Sequence, residues 1–142
     1  MAKPFWAFAL TLWEHQEIET LALDIQRTEG PVVYFLLGAW LASIGHSFDA
    51  QLADKLVADV APVEKQLVRL RQQREHLSGE AKKTILAKEL VLEKALYTRL
   101  DEQVSARGAV QWSEALRWWQ WFFPHSSMVL RAQWLQQIQA FY

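Results

Sequence analysis

The chain contains no cysteine. That excludes disulfides, thiolate metal centres and cysteine nucleophiles together, and it suits a reducing compartment. Glycine and proline are scarce, five and four in 142 residues, so there are few places where a helix must stop. Long hydrophobic runs are also missing. The longest, Pro31–Ile44, is interrupted only by Ser43 and falls short of the ~20 apolar residues that cross a bilayer. Neither charge sign dominates: 15 Lys and Arg stand against 16 Asp and Glu, a net charge of −1. Nothing in that balance calls for a nucleic-acid partner. The N-terminal apolar run Phe5–Trp13 is short, follows a barely basic start and ends in Glu14-His15, so no secretory leader is expected.

What is present is apolar and helical in pattern. Hydrophobic residues make up 51% of the chain and charged residues 22%, enough to fold one domain. Apolar positions recur at helical spacing almost throughout, with no sustained alternation, so no strand is expected. The first helix covers Pro4 to Trp13, since proline at a first turn removes only an N–H that would be unpaired anyway. The second covers Glu17 to Thr28 and ends at Glu29-Gly30-Pro31. The third, Pro31 to Ile44, is apolar all round and should be the buried centre. Asp49 is placed to cap a fourth helix beginning at Ala50, and Pro62 should interrupt or kink it.

Beyond Pro62, Val63, Leu67, Leu70 and Leu77 form a stripe with Arg74 in the vacant position. After the turn at Ser78-Gly79 comes a second stripe, Leu86, Leu90, Tyr97, Leu100 and Val104, with Glu93 in its vacant position. The spacing and the short connector predict a long antiparallel helical hairpin. Ser105–Gly108 marks a boundary between a helical domain of residues 1–108 and an extension of residues 109–142. The extension holds five of the eight tryptophans and three charges, and it should pack on the same domain. Pro124–Ser127 splits it into two short helices. The expected class is therefore all-α: a helical cluster around a buried apolar helix, the hairpin, and a Trp-rich C-terminal extension.

The order Trp6-Ala7-Phe8-Ala9-Leu10, Leu23–Gln26 with Gly30, Val33, Leu36-Leu37 and Trp40-Leu41-Ala42 resembles DUF2390, a bacterial family of unknown function. The likeness continues through Leu70-Arg71-x-x-Arg74 and Glu89-Leu90-x-x-Glu93, covering about residues 4–104. It implies a helical, cytoplasmic, proteobacterial protein and adds no activity. Tyr34 stands where the family often has asparagine, and Arg69 where proline is common.

Searching for chemistry removes most function classes. Glu89 and Glu93 share a helix face, but no Glu-x-x-His motif accompanies them as helical di-metal sites require. With the turn near residues 78–82, Arg71 and Arg74 lie level with Glu89, and Glu93 lies level with the segment around Arg69. A structural Arg–Glu network is the expectation. Asp49, Asp54 and Asp59 are spread around their helix, and the four histidines are far apart without His-x-x-x-His spacing. No Gly-x-Ser-x-Gly or phosphate-cradling glycine loop occurs. No metal, cofactor or catalytic residue is expected.

Charge and aromatic residues are distributed unevenly. Residues 1–60 carry three basic and eight acidic side chains, and residues 61–107 carry ten and seven. Either the two regions attract each other or the second presents a basic binding face. In the extension, Trp112, Leu116, Trp119 and Phe123 share one side of a helical wheel and should pack inward. Trp118 and Trp121 fall on the other side. An exposed tryptophan pair needs a cover: the second tail helix, another protein or second copy, or a membrane surface.

The leading expectation is a non-enzymatic helical interaction protein of the bacterial cytosol, with a protein partner met through Trp118 and Trp121. Nucleic acid is disfavoured, and a membrane surface is a lesser alternative. The other alternative is a small helical enzyme or apolar-ligand binder, with a pocket among Trp6, Trp13, Tyr34 and Trp40. A chain ending at Gly108 should keep a folded body.

Overall fold

A computed structural model describes residues 3–105 and 107–142. The described residues form seven helices: α1 Phe5–Trp13, α2 Gln16–Thr28, α3 Val32–Ser43, α4 Ala50–Glu75, α5 Gly79–Glu102, α6 Glu114–Phe122 and α7 Met128–Phe141. None is long and apolar enough to cross a membrane.

α3 is the centre, buried from Phe35 through Ile44. Its apolar composition leaves it no polar face to turn to water. α1, α2 and α6 pack around it. α6 comes closest because α3 carries Gly38: a Cβ there would lie 2.5 Å from the Trp119 indole nitrogen. That indole donates to the Phe35 carbonyl at 2.9 Å, locking the two helices together. Trp134 of α7 meets Trp119 and Phe35 edge-on, so the extension closes over the core that α3 begins.

The chain between α5 and α6 is pinned to the end of α3. Gly108 donates to the Ile44 carbonyl at 2.6 Å and Gln111 to the Ala42 carbonyl at 2.9 Å. The approach needs Gly45, whose φ of +70° suits glycine and whose Cβ would collide with the Ala109 carbonyl oxygen.

α4 and α5 form the expected antiparallel hairpin. Asp49 caps α4, its carboxylate accepting from Gln51 and Leu52. Against expectation, α4 runs unbroken through Pro62. Pro62 and Ala58 are both exposed, so the Ala58 carbonyl that loses its donor faces water. α5 joins the body at its far end: the Asp101 carboxylate accepts from the Phe5 N–H at 2.7 Å, where an acid suits the start of α1. Phe5 stacks between Trp40 and Tyr97.

Candidate functional site on the helical hairpin

The α5 stripe that faces α4 is Ile85, Glu89, Leu92, Leu96 and Leu100, not the expected series through Leu86 and Leu90. Glu89 is buried, whereas Leu86 and Leu90 are 42% and 54% exposed. The sequence reading favoured the leucines because it ranked apolar residues above charged ones and left only Glu93 as a gap. The vacant step is in fact taken by Glu89, opposite the vacancy at Arg74. Arg74 grips Glu89 with two hydrogen bonds, 2.8 and 3.2 Å, the fork geometry that makes such pairs strong.

Arg71 extends the network. It holds Glu64 at 3.0 Å and lies 3.9 Å from both Glu89 and Glu93. The four expected ion-pair residues, Arg71, Arg74, Glu89 and Glu93, thus lie together, and Glu64 is the member that sequence reasoning missed. Its seven-residue spacing from Arg71, two helical turns, was the signal for it. Guanidinium groups separate the three carboxylates, and among the described residues no group of His, Asp or Glu is arranged to hold a metal.

This network floors a cleft of about 280 Å³ between hairpin and body, walled by Trp13, Leu23, Leu86 and Leu90. Burial acts on the titratable groups in and beside it. Burial pushes the Glu93 carboxyl above its ordinary value, with Arg71 opposing. Burial likewise raises the Tyr97 hydroxyl far above the usual range. Tyr34 is raised by burial and then by the Glu64 charge.

The opposite face of the hairpin is a long open groove of about 820 Å³. Leu70, Ala87, Val91 and Leu92 line it, with Arg69 and Lys88 among its polar residues. Val91 is 68% exposed. Along α5 the groove meets a second depression lined by Val91, Lys94, Ala95 and Arg99. Helical spacing foretold one apolar stripe per helix; the second, outward set was hidden among the charges.

The tail differs from expectation. Trp118 is fully buried and Trp121 is 42% exposed, so the exposed pair does not exist. The wheel treated α6 as packing by one face. The segment after α3 covers its second face: the Trp118 indole donates to the His46 carbonyl at 3.1 Å, and Phe48 lies edge-on against the ring. Trp121 rests on Phe48 as well.

The four aromatic residues suggested as a pocket do not converge. Trp40 is fully buried and stacks on Phe5. Trp6 stands edge-on to Tyr97. Tyr34 stacks on Phe122 and lines a separate depression with Glu64 and Arg69. Only Trp13 among them lines the cleft. Large rings fill the space among the first three, as in any close-packed interior.

The family model described as a protein of unknown function, DUF2390, matches residues 4–100. The chain belongs to the DUF2390 family. No curated protein and no solved structure matches it. The DUF2390 segment contains the whole lining of the cleft and of the main groove, and it ends before α6 and α7 begin.

Proposed function

We propose that the protein is a non-enzymatic helical interaction protein of the bacterial cytosol, and that the hairpin, rather than the tryptophan tail, meets its protein partner. The observation that carries this reading is where apolar surface remains. Val68, Leu77, Leu86, Leu90 and Val91 of the hairpin are exposed; the tail buries three of its five tryptophans and leaves Val110, Trp121, Met128, Val129 and Tyr142 exposed, none of which lines the groove or the cleft. Of the hairpin residues, Val91 lies in a groove with Leu70 and Leu92 bordered by Arg69 and Lys88, and an apolar surface rimmed by charge is the mark of a contact surface. The absence of cysteine suits the cytosol. A membrane role rested on an exposed Trp118–Trp121 pair and loses that support.

The test is photo-crosslinking in cells, with the reactive side chain placed at Val91 or, as a control, at Gln139 on α7. A discrete adduct from position 91 alone supports the hairpin. Adducts from position 139 alone would return attention to the tail.

The cleft favours a second reading, a small-ligand binder, because its apolar walls beside Trp13 meet the incompletely paired Glu93. Fragments carrying an amine on an apolar body should then quench or shift Trp13 emission, and a Trp13→Phe variant should lose that response. No response from any fragment would remove this reading.

A further inference from the structure

The hairpin divides its charges between two faces. On the inner face Glu64, Glu89 and Glu93 surround Arg71 and Arg74. On the outer face the groove is bordered by Arg69, Lys88, Lys94 and Arg99, and Glu102 is the carboxylate among its lining residues. Arg99 is engaged with Asp59 at 3.0 Å. Among the described residues, Arg69, Lys88 and Lys94 have no carboxylate within ion-pair distance. Three carboxylates of the same helices, Glu64, Glu89 and Glu93, are turned inward.

We infer that this outer groove receives an acidic amphipathic helix of a partner protein, completing a three-helix arrangement with α4 and α5. The inference rests on the interaction reading above and names the partner's chemistry. Both helices line the groove beside Thr84–Leu92, roughly 12 Å at a helical rise of ~1.5 Å per residue or about two turns of a docked helix, and the adjoining depression continues along α5 alone to Gln103, about three turns more. Its floor of Leu70, Ala87, Val91 and Leu92 suits leucine-type anchors at i, i+3, i+4 and i+7. Its cationic borders suit Glu or Asp flanking those anchors, which would steer encounter and set orientation. A second copy of the chain is a poorer fit, because the same basic face would oppose itself. A flat anionic bilayer would reach the cations without filling the concave apolar floor.

The test uses three labelled 20-residue peptides with the same leucine face and flanks of Glu, Gln or Lys, titrated with full-length protein. The Glu peptide should bind about tenfold more tightly than the Gln peptide at low salt, and the gap should narrow as salt rises. The exposed double substitution Arg69→Glu with Lys88→Glu should reverse the order of the Glu and Lys peptides. A Val91→Asp variant should weaken all three. Equal binding of the three peptides would leave the hairpin a contact surface and overturn the acidic partner. Failure of every peptide to bind, or tighter binding to vesicles containing phosphatidylglycerol than to the Glu peptide, would overturn the inference even where crosslinking from Val91 succeeds. Concentration-dependent dimers that the Glu peptide does not dissolve would also overturn it.

Discussion

The body and the hairpin are built on different principles. In the body, α1, α3, α6 and α7 meet through interlocked rings and three indole hydrogen bonds, Trp40 to Lys3, Trp119 to Phe35 and Trp118 to His46. In the hairpin, two long helices meet through leucines and a half-sequestered ion network, and aliphatic side chains are left facing water on both sides. Dense aromatic packing fixes one arrangement. Charge at a helix interface adds little net stability, since desolvation offsets attraction. Stability belongs to the body, and in the function proposed above recognition belongs to the hairpin.

The strongest way to break this contrast is to remove the tail. Ending the chain at Gly108 strips Trp118, Trp119 and Trp134 from α3, and we expect loss of cooperative thermal melting, contrary to the first reading of residues 1–108 as self-sufficient. Trp119→Ala, a smaller cut into the same packing, should cost about 3–5 kcal/mol by chemical denaturation. Gly38→Ala should follow at about 1–3 kcal/mol through overpacking. Its sign is informative, because alanine ordinarily improves a helix interior by up to about 1 kcal/mol.

The hairpin should respond more mildly and more selectively. Glu89→Ala leaves two guanidinium groups facing an apolar interface and should cost about 2 kcal/mol. Replacing Glu89 and Arg74 together by leucine should be near neutral. An equal loss in both variants would show that the network holds the hairpin together.

Glu93 gives the smallest effect and a sign that can be checked. Its folded carboxyl sits above the ordinary value of 4.5, so between those values the folded chain holds more proton than the unfolded one. The contribution of Glu93 is therefore fully present below that ordinary value and is lost as pH rises through the folded one. Glu93→Gln should gain stability relative to the parent as pH rises from acid to neutral. A constant difference across that range would mean that the carboxyl is not shifted.

Much of this division was legible in the residues. α3 announced itself by lacking any polar face, the Asp49 cap and the turn at Ser78-Gly79 bounded the hairpin, and the Arg71-Arg74 and Glu89-Glu93 spacings brought the ion network together. The failures share a cause. Trp118 was read as exposed because a helical wheel knows only one packing face, whereas the His46–Phe48 segment, distant in sequence, covers the other. Glu89 was passed over in favour of Leu90 because periodicity ranks residues by polarity, and a paired glutamate can occupy a core position. A basic face was one of two readings of the charge on residues 61–107, but the groove itself escaped notice because only the packed helices, with Glu64, Glu89 and Glu93 turned inward, set Arg69 and Lys88 beside an apolar floor.

Hydrogen exchange of the full-length chain, followed by mass spectrometry, tests the contrast most directly. Amides of α6 should exchange as slowly as those of α3, at the cost of global unfolding, while those of residues 66–92 should open at a distinctly lower cost. Rapid exchange in α6 beside a protected α3, or equal protection of the hairpin and the body, would contradict the division of labour between them.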